Sequence, residues 1–143
     1  MDKQVPNNLI FSDSALRITY EESSAVNKTN RAIIISGTRG GFLSLANIVL
    51  FYVNDLQQEI HLHELPFVES SIYLTIQIDI KTNSNMGDVL AIGNNEFTWK
   101  LTEAEVDHVL ASIHSLGHIN NELHIDNAKI EDEISIYCVV NDD

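Results

Sequence analysis

The run from Phe42 to Val53 constrains the fold most. Ten of its twelve residues are apolar or aromatic; only Ser44 and Asn47 interrupt it. The glycine-rich segment Gly37-Thr38-Arg39-Gly40-Gly41 precedes it and Asn54-Asp55 ends it. As a helix it would be roughly 18 Å long, too short for a bilayer. A helix that is apolar all round must be buried on most sides. The chain around it is rich in strand-like alternation, so a central helix lying against a sheet is the simplest arrangement.

That alternation is clearest at Ser71–Lys81. Ile72, Leu74, Ile76, Ile78 and Ile80 take one face, and Tyr73, Thr75, Gln77, Asp79 and Lys81 take the other. Leu9–Glu22 alternates as well, with Leu16, Ile18 and Tyr20 on one side. Ala32-Ile33-Ile34-Ile35 is a continuous run suited to a strand covered on both faces. These first two segments can form an antiparallel hairpin, with the polar stretch 22–30 as a long connection. Asp88–Ile92 and Glu96–Leu101 read as a second hairpin around Gly93-Asn94-Asn95. A short strand near Leu123–Ile125 and a last strand over Ile134–Val140 complete the set. Thr102-Glu103-Ala104-Glu105 is a capping box that opens a second helix. Its apolar stripe is Val106, Val109, Leu110, Ile113 and Leu116, and Gly117 stops it. Strands and helices do not alternate strictly, and only two helices are available for crossovers. The expected fold is therefore α+β: one domain over 1–143, with a single mostly antiparallel sheet of about five to seven strands and two helices, the first largely buried.

Charge limits the function. Twenty-one Asp and Glu against eight Lys and Arg leave −13. From Leu101 to Asp143 there are ten acids and one base, Lys129. Such a surface repels nucleic acid and anionic membranes and attracts a basic protein. Solubility alone is the plainer reading of the same charge. A single cysteine, Cys138, permits no internal disulfide, and the first residues carry no apolar leader-like run. Both features point to the cytoplasm.

No catalytic or cofactor motif stands out. The glycine turn lacks the Gly-Lys-Ser/Thr end of a phosphate loop, so it reads as structural, with Arg39 the one residue able to meet an anion there. His61 and His63 share a face of an extended segment and can both reach one metal ion. Glu64 falls on the opposite face of a regular strand, which leaves the third ligand unsupplied. Glu103 and Asp107 form an i, i+4 carboxylate pair, more simply a hydrated helix face than an acid–base couple. Cys138 alternates with apolar neighbours and reads as a core thiol. Tyr73 and Trp99 are either interface anchors or core. No cofactor is implied.

One stretch carries a family resemblance. Ser36-Gly37-Thr38-Arg39-Gly40-Gly41-Phe42-Leu43-Ser44-Leu45-Ala46 leads through His61-Leu62-His63-Glu64 to Leu74-Thr75-Ile76. Over roughly residues 36 to 80 this resembles the small immunity proteins of bacterial polymorphic-toxin and contact-dependent growth-inhibition systems. The resemblance implies a cytosolic α+β protein without catalytic residues that neutralises one cognate toxin. A basic nuclease would match the charge. The residues nominated to face it are Glu103, Asp107, Glu122, Asp126, Glu131, Asp132 and Glu133, with His61 and His63. The alternatives are a homo-oligomeric structural or adaptor protein, with the Phe42–Val53 helix at the subunit interface, and a small metal-dependent hydrolase using His61 and His63.

Overall fold

A computed structural model describes residues 7–25, 28–54, 59–79, 89–126 and 134–141. After a 3₁₀ turn at Asn7–Leu9 the order is β1 (Leu16–Ala25), β2 (Lys28–Gly37), α1 (Arg39–Asn54), β3 (Glu59–His61), a 3₁₀ turn (Leu62–Glu64), β4 (Val68–Ser70) and β5 (Tyr73–Asp79). There follow β6 (Val89–Gly93), β7 (Glu96–Thr102), α2 (Glu103–Leu116), β8 (Glu122–Asp126) and β9 (Ile134–Val140).

The architecture is α+β with two helices, but the strands form two mixed sheets. One has the order β4-β1-β2-β9-β8, the other β3-β5-β7-β6. The expected single, mostly antiparallel sheet is thus corrected. β1 with β4, β2 with β9, and β5 with β7 are parallel pairs. Their crossovers do not need one helix each. Between β2 and β9 the chain builds α1, the whole second sheet and α2 before returning, so one long excursion serves as the crossover. The polar stretch 22–30 is also not a long loop. The β1/β2 ladder continues to Ala25↔Lys28 and leaves only residues 26 and 27 between the strands.

One buried cluster draws on both sheets and both helices: Ile18, Ile33 and Ile35; Leu74, Ile76 and Trp99; Phe42, Ile48 and Val49; Val109, Ile113 and Leu116. α1 buries Phe42, Ser44, Leu45, Ala46, Ile48 and Val49, then opens out, with Leu50 48% exposed. Its covering comes from this chain's own sheets and from α2. The buried Ser44 is satisfied: its Oγ accepts from Phe11 N at 2.8 Å and shares a hydrogen bond with Ser14 Oγ at 2.6 Å. None of the helices among the described residues is long and apolar enough to cross a membrane.

The glycine segment is structural. Thr38 Oγ1 accepts from Gly41 N at 3.0 Å and donates to Asp13 O at 2.7 Å, capping α1 and tying it to the chain before β1. The Arg39 guanidinium donates to Leu116 O, Asn120 O and Asn121 Oδ1, at 3.3, 3.2 and 2.6 Å. It thus fastens the start of α1 to the carbonyl end of α2, where a cation is favoured. Arg39→Ala should lower stability by about 1–3 kcal/mol, read from the urea midpoint, and Arg39→Lys should recover only part of it because an ammonium lacks the planar fork. The capping box forms as expected: Glu105 N donates to Thr102 Oγ1, and Thr102 N donates to Glu105 Oε1. Gly117 ends α2 in a right-handed conformation rather than the left-handed one typical of a glycine stop. Its reason to be glycine is space, since a Cβ there would lie 2.3 Å from Leu43 Cδ2.

A cleft on the outer face of the second sheet

The two faces of the second sheet differ sharply. Across the strands Ile60, Ile76, Trp99 and Val89 stand in one row and point into the core. The next row is His61, Thr75, Thr98 and Leu90, on the opposite face. Glu59 aligns with Gln77, and Tyr73 with Glu96. This outer face forms an open cleft of about 470 Å³, lined by Glu59, His61, His63, Glu64, Tyr73, Thr75 and Gln77 from β3, the 3₁₀ turn and β5, and by Ile92, Glu96, Phe97 and Thr98 from β6 and β7. Among the described residues the lining contains three glutamates and neither lysine nor arginine.

Local backbone irregularities shape the cleft at both ends. β3 leaves the ladder after His61, and the 3₁₀ turn follows at once. That departure strands the N–H of Leu74 on β5. His63 takes the place of the missing strand: its Nδ1 lies against the Leu74 backbone, 3.1 Å from the nitrogen and 3.2 Å from the carbonyl oxygen. Its Nε2 faces Glu64 Oε2, 3.8 Å away. The same turn brings Glu64 round to the cleft, which corrects its expected place on the face opposite His63. His63→Ala should cost about 1–3 kcal/mol by leaving the Leu74 backbone without its side-chain partner. Differential scanning calorimetry checks this, and hydrogen exchange should localise the loss to β5.

At the far end the β6/β7 register slips between Ala91 and Gly93. Ile92 is the extra residue. A bulge re-aims a side chain, and here it leaves Ile92 62% exposed at the cleft. The turn beyond is held by Asn95 at φ 59°, whose carbonyl accepts from Tyr73 N at 2.8 Å.

Three rings cluster on the β3 side. His61 and His63 are 5.7 Å apart, and His63 meets Tyr73 edge to face at 5.1 Å and 88°. His61 Nδ1 is 2.9 Å from Thr75 Oγ1, and its Nε2 is 3.8 Å from Glu59 Oε2. Tyr73 is 58% exposed and so lies outside the core, whereas Trp99 is buried at 1%.

Of the nominated residues that are described, the cleft brings together the two histidines. Asp107 is exposed on α2, and Glu103 stands at that helix's first position. Glu122 and Asp126 lie on β8, in the other sheet. Glu122 Oε2 accepts from Tyr137 Oη at 2.5 Å, and this bond raises the Tyr137 phenol above its ordinary value. Glu131, Asp132 and Glu133 lie outside the described residues. Glu59, Glu64, Glu96 and Ile92, which do line the cleft, were not among the nominated residues. Among the described residues no group of three His, Cys, Asp or Glu is placed to hold a metal ion. Cys138 is a fully buried thiol whose pKa burial drives far up, which keeps it protonated.

Comparison with protein-family models, with curated proteins and with solved structures finds no match for this chain.

Proposed function

We propose that this chain is a binding protein of the immunity type, docking onto a basic toxin through the cleft of the second sheet. The observation that carries the reading is the lining itself. Three glutamates stand around the His61, His63 and Tyr73 rings, an exposed isoleucine stands opposite, and among the described lining residues there is no lysine or arginine. Aromatic anchors with a charged rim are the usual composition of an energetic centre in a protein interface. The chain's −13 charge would speed the approach of a cationic partner. The metal-hydrolase alternative has no third ligand among the described residues. The oligomer alternative rests more on the exposed Leu90 and Ile92 of the edge strand β6 than on α1, whose apolar residues are covered over its first half and open out only from Leu50.

The test uses the toxin domain encoded by the gene adjacent to that of this chain. The two proteins should form a 1:1 complex that abolishes the toxin's activity and weakens as salt is raised. Tyr73→Ala should weaken binding by roughly tenfold or more, equivalent to about 1.4 kcal/mol. The triple change Glu59→Gln, Glu64→Gln, Glu96→Gln should weaken it and flatten the salt dependence. Full inhibition by both variants, or no complex with the wild-type chain, overturns the reading. A salt-resistant dimer of this chain that hides Ile92 would replace it with the oligomer.

A further inference from the structure

We infer that the corner formed by His61, His63 and Tyr73 is a seat for a single arginine side chain. This rests on reading the cleft as a docking site and names the group it takes. The rings come first. His63 and Tyr73 meet at 88°, so the exposed tyrosine and the two imidazoles make an angled wall rather than a flat stack. A planar cation placed against such a wall meets at least one ring face, and a guanidinium is the side-chain cation that stacks best on rings. The acceptors come second. Glu59 and Glu64 flank the histidines on β3 and the 3₁₀ turn, and Glu96 stands one strand beyond Tyr73 in register. Thr75 and Gln77, both polar, line the floor between them on β5. Five N–H donors in a fixed fork can use acceptors spread over several strands; an ammonium has three donors on a point charge.

The geometry also disfavours a bare divalent ion. The two imidazoles each commit Nδ1 to the protein, His61 to Thr75 and His63 to Leu74, and each turns Nε2 toward a different glutamate. The donors diverge instead of converging. Opposite the corner, about three strand spacings or ~14 Å away, Ile92 offers an apolar contact. An arginine with an apolar residue at that distance along the same segment would occupy both ends of the cleft.

The probe is Nα-acetyl-arginine methylamide, titrated into the folded full chain and followed by NMR of the histidine and tyrosine side chains. Saturable shifts are expected on His61, His63 and Tyr73 and not on Tyr137. The lysine analogue should bind roughly fivefold more weakly, and the isosteric but uncharged citrulline analogue should give no saturable change. Tyr73→Ala and the Glu59→Gln, Glu64→Gln, Glu96→Gln variant should abolish the response; their urea midpoints establish that they remain folded. His61→Ala removes one ring without disturbing the His63–Leu74 bond and should weaken binding. Equal affinity for arginine and citrulline, or no saturable change at the cleft, overturns the inference. Arginine binding without toxin binding would sink only the toxin reading. Toxin binding without an arginine response would sink only this one.

Discussion

Gly37→Ala should unfold or nearly unfold this protein, with a loss of about 3–5 kcal/mol. Gly37 is the last residue of β2, paired with Leu16 on β1 and with Val140 on β9. A Cβ there would lie 2.0 Å from the Ala15 carbonyl oxygen and 2.9 Å from Leu16 Cα. Both are backbone atoms at the start of a central strand, so no rotamer change relieves the overlap. Ala15 O also accepts from Thr38 N at 3.0 Å, and Gly37 O accepts from Asn141 N at 2.6 Å. Pushing the strands apart would therefore break the cap of α1 and the end of the β2/β9 ladder together. A domain has about 5–15 kcal/mol of stability, so the loss is a large share of the total. Gly93→Ala is the matched control. Its added Cβ would meet nothing closer than 3.4 Å, and its stability should change by about 0.5 kcal/mol or less. Urea unfolding of the two variants side by side decides the matter. A Gly37→Ala protein as stable as Gly93→Ala would mean that the three strands do not approach this closely.

Much of this local structure is legible in the sequence, because its causes are local. The alternation of Leu74, Ile76 and Ile78 sets which face of β5 is buried, and the same alternation delivers Tyr73, Thr75 and Gln77 to the cleft. Thr102 and Glu105 cap α2 through contacts three residues apart. What escapes the sequence is pairing at a distance. Nothing in the residues of β5 or β7 says that they lie side by side and parallel, yet only that pairing sets Glu96 beside Tyr73. Likewise, charge counted along the chain picks out the last third, whereas the cleft gathers its glutamates from β3, a 3₁₀ turn and β7. His61 and His63 were visible as a pair through their spacing. Strand alternation puts Glu64 on the wrong face because the chain turns there, and it gives no sign of Ile92 because a bulge breaks the alternation. Trp99 and Tyr73 looked equivalent as aromatic residues in strands; the register separates them into core and surface.

That separation sets up the second large effect. Trp99→Ala should cost about 3–5 kcal/mol, and Trp99→Phe clearly less. The indole is among the largest fully buried side chains, in the middle of β7 between Ile76 on β5 and Val89 on β6. Replacing it with a methyl group removes apolar contact and leaves a void that a close-packed interior fills poorly. The consequence should reach the opposite face. Thr98 adjoins Trp99 on β7 and lines the cleft, and Glu96 sits at the strand's start, so a loosened β7 moves the floor and one carboxylate of the site. Circular dichroism gives the stability change. The arginine-analogue titration, run well below the variant's unfolding midpoint, then reads the cleft separately. The expected result is weakened arginine binding in Trp99→Ala and near-normal binding in Trp99→Phe. If Trp99→Ala lost its stability but kept full affinity, the ring corner on β3 and β5 would hold its geometry without support from β7, and Glu96 would drop out of the arginine seat.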